Sequence, residues 1–227
     1  MASGSGALSI PAARLGTRVL AVDISPSMIN HLMERAHEEG LTNLEGRVMD
    51  GHSLELDDNK FDISGSQFGV MLFPEFTRAL RELVRVTRPG GRVLMVTYGP
   101  PAEVEFLGFF MQTMQKVVPG FTGLPMDPPP LPFQVSDPDV LRQRMSDVGL
   151  KNIRIEKSEE RLTFHSGKQM WNWVVNSNPI PAMMVEDLTP EQKDKVRQEL
   201  DLLLRKRSGE AGPADLTARV HIGIGTK

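Results

Sequence analysis

The hydrophobic positions of this chain follow two alternating patterns from Thr17 onwards. Short runs rich in Val, Ile and Leu are typical of buried strands, and longer segments carry apolar residues at helical spacing. Strands that alternate with helices in this way are typical of βα units around a parallel sheet. The first half of the chain is predicted to form strands at Arg18–Asp23, Leu44–Met49, Phe61–Phe68 and Arg92–Tyr98, with helices at Ala7–Leu15, Ser27–Glu39 and Glu75–Val86.

The second half departs from this regular alternation. Residues 99–132 are rich in Pro, Phe, Met and Gly, and we expect a lid-like insertion over one end of the sheet at about 100–134. The final strand follows a pair of helices and ends the fold, so it is predicted to be antiparallel. We interpret 1–227 as one domain with helical additions at about 168–207. The elements predicted beyond the insertion are helices at Asp137–Val148, Gln169–Val175 and Pro190–Arg207, an extended run at Ile153–Phe164 and a strand at Leu216–Gly225.

Composition narrows the class of protein. The 227 residues are 40% hydrophobic and 24% charged, which is typical of a globular protein with one substantial core. A formal charge of -3 and the lack of a long basic run argue against nucleic acid as a main partner. Without cysteine the chain has no disulfide, thiolate metal site or cysteine nucleophile, and no His or carboxylate group shows metal-site spacing.

Hydropathy predicts no membrane span. The most apolar short run, Phe106–Met111, is far below the ~20 residues that a transmembrane helix requires. The N-terminus also lacks the charged and apolar regions of a signal peptide. We therefore expect a cytoplasmic protein, and we leave a homodimer open as its assembly.

Candidate ligand-binding residues lie at the ends of the predicted strands. Ligands of an open parallel sheet bind beyond the carboxyl ends of its strands. The loops at these positions are Gly4-Ser5-Gly6, Asp23, Asp50-Gly51 and Ser66-Gln67-Phe68. Glycines let a backbone approach a ligand closely, and an acid at a strand end can accept hydrogen bonds from ribose hydroxyls. Each signal alone also fits a flexible tail or a helix N-cap, but their order fits one nucleotide lying across adjacent loops.

These loops resemble those of class I S-adenosylmethionine-dependent methyltransferases, particularly the small-molecule (type 11) enzymes similar to those of ubiquinone and menaquinone biosynthesis. The resemblance implies a Rossmann-like, doubly wound, mostly parallel α/β sheet with a terminal antiparallel strand. It also implies S-adenosylmethionine as cofactor and a small-molecule acceptor. The most specific stretches are Gly4–Leu8, Val19–Pro26, Asp50–Gly51, Phe61–Asp62, Ser66–Gly69 and Arg88–Arg92.

The resemblance also implies roles for single residues around the methionine and ribose parts of the cofactor. Gly4 and Gly6 would face the methionine part, and Asp23 would bind the ribose. Gln67 and Phe68 would lie near the sulfonium.

The adenine end of the cofactor is assigned in the same way. Ile24 and Gly51 would flank the adenine, and Asp50 would accept a hydrogen bond from its amino group. A nicotinamide-dependent oxidoreductase would share the glycines and Asp23. It would not explain Asp50-Gly51 or the Pro89-Gly90-Gly91 entry to a late strand, so the methyltransferase is favoured.

The sequence assigns no catalytic residue. Transfer from a sulfonium is an in-line displacement in which positioning supplies much of the acceleration. His52, Tyr98 and His165 are candidate bases, although each is also explained as a structural or surface residue.

An apolar acceptor is indicated by the aromatic residues of the insertion. Spacing of four residues also lets Phe106, Phe110 and Met114 pack the insertion onto the sheet, so a lid and a packed helix are both open. The residues predicted to line the acceptor pocket are Phe106, Phe109, Phe110 and Phe121.

The family pattern includes a strand before the glycine loop that this sequence does not contain. It would lie between Arg18–Asp23 and Phe61–Phe68. The favoured explanation is truncation of an ordinary methyltransferase. The others are that another segment fills the gap or that the two neighbouring strands pair directly. An alternative function is a non-catalytic or truncated protein of this fold that acts as a binding or oligomerisation module.

Overall fold

The computed structural model describes residues 1–124, 126–177, 179–210 and 212–227, which form an α/β fold. The predicted elements are present, with ends shifted by a few residues. In the first half they are α1 Ser9–Arg14, β1 Val19–Asp23, α2 Pro26–Glu38, β2 Leu44–Val48, β3 Phe61–Gln67, α3 Phe76–Val86 and β4 Thr87–Tyr98. In the second half they are α4 Glu105–Val117, α5 Pro138–Asp147, β5 Lys151–Phe164, α6 Gly167–Ser177, α7 Pro179–Met184, α8 Pro190–Ser208 and β6 Ala214–Thr226.

Local capping chemistry explains where several helices begin. The Ser25 hydroxyl accepts a hydrogen bond from the Met28 amide at the start of α2, and Pro26 occupies the first turn. Thr189 and Gln192 form a reciprocal capping box at the start of α8. Helix α1 begins at Ser9, two residues later than predicted, and is only 6 residues long.

The strands form two separate sheets. Strands β1 and β2 pair in parallel, with Asp23 opposite Val48. The other sheet has the order β3-β4-β6-β5, in which β4 is parallel to β3 and antiparallel to β6. The antiparallel direction of the last strand is therefore confirmed. The sheet structure is mixed and divided, and so differs from the single, mostly parallel sheet that the resemblance implied.

The division of the sheet has a physical cause at the N-terminus. Among the described residues no strand ladder joins β1 to β3. Instead, the Met1 amino group donates to the Gly65 carbonyl of β3 at 2.9 Å, and the Ser3 amide donates to the Val22 carbonyl of β1 at 3.0 Å. Residues Met1–Ser3 thus bond to both strands, and the expectation of direct pairing between these neighbours is wrong.

The chain separates into two compact units. The first comprises 1–99, 130–158 and 220–227, and contains both α/β layers that carry the predicted cofactor residues. Its buried core includes Leu80, Val93, Met95, Leu141 and Met145.

The second unit comprises 100–129 and 159–219, and consists mainly of α4, α6, α7 and α8. Its buried side chains include Phe110, Met114, Met170, Trp171 and Leu200. No helix within the described residues combines the length and the apolar character needed to cross a membrane.

Candidate functional site

Asp23 ends β1 and is held by two backbone amides. Its Oδ2 accepts a hydrogen bond from the Gly4 amide at 2.8 Å, and its Oδ1 accepts one from the Ser25 amide at 3.0 Å. A carboxylate offers about four acceptor positions, so about two remain for a ligand. The structure therefore brings two predicted site residues, Gly4 and Asp23, into direct contact.

The glycine loop needs its glycines for different reasons. Both Gly4 and Gly6 have positive φ, 51° and 98°, a region that L side chains rarely adopt. A Cβ on Gly6 would also lie 2.4 Å from Leu32 Cδ1 and 2.8 Å from Ile10 Cγ1. The loop is fixed further by Arg35, whose Nη1 donates to the Ser5 carbonyl at 2.6 Å.

Asp50 follows β2 and lies beside the end of β1. The Met49 amide donates to the Asp23 carbonyl at 2.9 Å, so the two acids follow adjacent parallel strands. Asp50 Oδ1 accepts a hydrogen bond from the His52 amide at 2.9 Å and lies 3.0 Å from His52 Nδ1. The bond from the His52 amide lowers the pKa of this exposed carboxyl group, which favours its ionised, hydrogen-bond-accepting form.

A buried ion pair holds the segment that follows Asp50. Arg85 binds Glu82 through two nitrogens, at 2.7 and 2.8 Å, and also donates to the carbonyls of Leu54 and Leu56 and to Asp58. The Leu54 amide donates to Glu82 as well, at 2.7 Å. Hydrogen bonding from Arg85 lowers the pKa of Glu82, and hydrogen bonding to Glu82 raises the pKa of Arg85. The loop is therefore fastened to α3.

Gly51 lies under two side chains, and Ile24 is open to solvent. A Cβ on Gly51 would be 2.6 Å from the Phe73 ring and 2.9 Å from Met1 Sδ. The Phe73 ring also lies 4.7 Å from the His52 ring. By contrast, the Ile24 side chain beside Asp23 is 69% exposed. Of these two predicted adenine neighbours, Ile24 therefore offers an open apolar surface and Gly51 is covered.

Phe68 is held in an uncommon conformation at the end of β3. Its φ is 55°, and its amide donates to the Val96 carbonyl at 2.9 Å. Its ring stacks on the Tyr98 ring, with 4.6 Å between centroids and an angle of 18°. The preceding Gln67 is half-buried. Strand pairing and ring stacking thus fix the direction of Phe68.

Met1 is a site residue that the sequence analysis missed. Its amino group lies between the two sheets, and burial lowers the pKa of this group from 8.0 to about 6, although the Asp23 charge opposes the shift. Phe73 and Arg85 were also missed, because their contacts join residues far apart in the chain. The two aromatic residues Phe68 and Phe73 close together in the sequence are the one signal that could have indicated Phe73.

The four phenylalanines predicted for the acceptor pocket lie in the second unit, in two different environments. Phe106 and Phe110 are buried; the Phe106 ring meets the Trp173 ring edge-on at 5.0 Å, and Phe110 lies 6.2 Å from Trp171. Phe109 and Phe121 are only half-buried.

The candidate bases are also separated. His52 lies at the loop after β2, Tyr98 stacks on Phe68, and His165 is exposed in the second unit. Within the described parts of the chain, no three His, Asp or Glu side chains are grouped so as to hold a metal ion.

Comparison with known proteins identifies the class. Residues 1–95 match the family described as "Methyltransferase domain", and this part of the chain belongs to that family. All eight predicted cofactor residues fall within the matched segment.

Particular relatives agree with this class. A demethylmenaquinone methyltransferase of Thermus thermophilus is 32% identical over 128 residues, which cover 55% of this chain and 57% of the relative. An uncharacterised protein of Mycobacterium tuberculosis is 35% identical over 130 residues, covering 57% of this chain and 45% of that protein. The matched region thus spans about half the length of these relatives.

Solved structures agree in fold. The YcgJ protein of Bacillus subtilis has a TM-score of 0.60 at 16% identity, with 100% of this chain and 89% of that chain covered. Phosphoethanolamine N-methyltransferase 2 of Haemonchus contortus, solved with S-adenosylhomocysteine, has a TM-score of 0.56 at 16% identity, covering 99% and 47%. These likenesses establish the fold.

Proposed function

We propose that this chain binds S-adenosylmethionine in its first unit and transfers the methyl group to a small apolar or aromatic molecule. One observation carries the proposal: Asp23 and Asp50 follow adjacent parallel strands, and Asp23 also binds the Gly4 amide at 2.8 Å. The family match over 1–95 supports it, as do the relatives named demethylmenaquinone methyltransferases.

The residues at the two strand ends fit the nucleoside part of the cofactor. Asp23 retains acceptor positions for ribose hydroxyls after binding two amides. Asp50 is exposed and has a lowered pKa, so it would accept from the adenine amino group in its ionised form. The exposed Ile24 side chain would cover one face of the adenine, which removes apolar surface from water.

The remaining predicted cofactor residues surround the methionine part. Gly4 and Gly6 would leave room for the amino acid group, and the covered Gly51 would support the loop beside the adenine. The cofactor supplies an electrophilic methyl group on a positively charged sulfur. Gln67 and Phe68 would lie beside that sulfur, where the stacked rings of Phe68 and Tyr98 offer π-faces that attract a cation.

The acceptor side of the proposal rests on the second unit. Phe109 and Phe121 keep part of their ring surface accessible, so they would contact an apolar acceptor. The buried Phe106 and Phe110 would hold these contacts in place through Trp171 and Trp173. We retain all four as the acceptor side of a lid formed by about 100–134.

The two sheets would belong to one Rossmann-like, doubly wound arrangement. The bonds from Met1 and Ser3 to the strands on either side support this relationship, because they align the carboxyl ends of β1 and β3. The same region also motivates a second candidate function. The lack of a strand ladder between β1 and β3 in the described residues favours a non-catalytic binding or oligomerisation module.

Calorimetric titration with S-adenosylhomocysteine tests the proposal, because this product binds without an acceptor. We expect micromolar affinity in the 227-residue chain and at least ~10-fold weaker binding in Asp50→Ala, a loss of about 1.4 kcal/mol. Asp57→Ala is the matched control, since Asp57 is an exposed acid of the same loop that pairs only with Lys60, and it should bind as the unmodified chain does. Folded protein without binding, checked by circular dichroism, would favour the non-catalytic module.

A further inference from the structure

A second polar cleft lies in the first unit, apart from the proposed cofactor residues. Its volume is about 290 Å³, and it is bordered by the start of α3, by residues 131–135 and by α5. None of the eight residues assigned to the cofactor lines it. Small-molecule pockets begin at about 300 Å³, so the cleft fits a compact ligand.

Three arginines surround this cleft. Arg78 and Arg81 are three residues apart on α3, and Arg144 reaches the cleft from α5. The whole chain carries a formal charge of -3, so this positive cluster runs against its overall charge. Like charges at this spacing on a helix repel one another, and a bound anion would remove that cost.

The partners of these arginines leave a net positive charge. Arg78 pairs with Glu75, the one acid among the lining residues, at 3.0 Å. Arg144 Nη1 lies 3.5 Å from the Thr77 hydroxyl, which is uncharged. Arg81 makes no hydrogen bond or ion pair with any described residue and is exposed. Two guanidinium groups are thus available to a ligand.

The wall of the cleft is apolar. Phe73 and Phe76 contribute aromatic surface, and Met71, Leu131 and Val135 contribute aliphatic surface. A fully hydrated inorganic anion gains little from such a wall, whereas an anion with an apolar body buries that body against it. Planar guanidinium groups bind carboxylates through paired hydrogen bonds.

We propose that this cleft binds a small carboxylate with an apolar or aromatic body. The carboxylate lies between Arg81 and Arg144, and the body lies along Phe73 and Phe76. This site is independent of the proposed methyl transfer, and its test measures binding alone.

The test uses the whole chain and four probes of the cleft. The probe is 3-phenylpropionate, compared by calorimetry with neutral 3-phenylpropan-1-ol and with inorganic phosphate. We expect saturable binding of 3-phenylpropionate, and at least fivefold weaker binding of the alcohol and of phosphate. Arg81→Gln and Arg144→Gln should each weaken 3-phenylpropionate binding at least fivefold. Arg18→Gln, an exposed arginine of the same unit outside the cleft, should leave the affinity unchanged.

Each contrary result overturns a stated part of the proposal. Equal affinity for the alcohol removes the role of charge, and equal affinity for phosphate removes the role of the apolar wall. If both cleft variants bind as tightly as Arg18→Gln, the ligand lies elsewhere. Unfolding temperatures without ligand establish that the variants are folded; all three arginines are exposed, so we expect shifts below 2 °C for a surface change of this kind.

Discussion

The amide of Gly4 donates a 2.8 Å hydrogen bond to Oδ2 of Asp23, which joins the glycine loop to the end of β1. Asp23 therefore has a structural partner as well as its proposed ribose. We predict that Asp23→Ala abolishes measurable binding of S-adenosylhomocysteine and lowers the free energy of unfolding by about 1–3 kcal/mol, since two amides lose a charged acceptor. Calorimetry and urea unfolding measure the two effects separately. Unchanged binding would remove Asp23 from the site.

Gly6 is the position in the loop where any side chain meets a packed neighbour. Gly6→Ala should lower the free energy of unfolding by about 2–4 kcal/mol, because positive φ and a Cβ within 2.4 Å of Leu32 both add cost. Gly16→Ala is the matched control: its φ is 81°, but no atom lies within 4 Å of the added Cβ. We expect a loss of only about 1–2 kcal/mol there. Equal losses would mean that Leu32 moves aside.

Arg85 should be hard to replace even by lysine. Its guanidinium group binds Glu82 and Asp58 and the carbonyls of Leu54 and Leu56 at once, and one ammonium group cannot reach all four. We predict that Arg85→Lys lowers the free energy of unfolding by about 2 kcal/mol in chemical denaturation. Arg88→Lys, at an exposed pair with Asp62, should cost less than about 0.5 kcal/mol. A similar cost at both positions would contradict the network.

These examples show which features a sequence can predict. The start of α2 was predictable because Ser25 and Pro26 act on their own helix. The positions of Asp23 and Asp50 followed from strand ends, which the hydrophobic pattern marks. The Arg85 contacts and the cover over Gly51 were not predictable, since each joins residues more than 20 positions apart and depends on tertiary packing. The division of the sheet depends on where three N-terminal residues bond.

The two environments of the lid phenylalanines separate packing from acceptor contact. Phe110→Ala should lower the stability of the second unit by about 3–5 kcal/mol, because the side chain is fully buried. Phe109→Ala should cost about 1–2 kcal/mol and weaken binding of an apolar acceptor. Both tryptophans of the chain lie in α6, so their fluorescence follows unfolding of this unit. The reverse order of stabilities would contradict the observed burial.

The amino group of Met1 should make stability depend on pH. Its pKa is about 6 when folded and about 8 when exposed, so between these values the unfolded chain holds more protons. Stability should therefore rise as the pH increases from 6 to 8 and then level off. The unfolding temperature measures this rise, and the N-acetylated chain, which has no titrating amine, should lack this part of it. The same rise in both forms would assign it to other groups.

The strand order β3-β4-β6-β5 places the last strand of the chain inside a sheet, between two strands made earlier. During synthesis, β5 has no neighbour to join until residues 214–226 have left the ribosome. The β1-α2-β2 segment, by contrast, can pair as soon as it emerges, since its strands are close in sequence. Completion of the larger sheet is therefore a late, post-translational event, and a stalled chain that lacks β6 would expose the edges of β4 and β5 to aggregation.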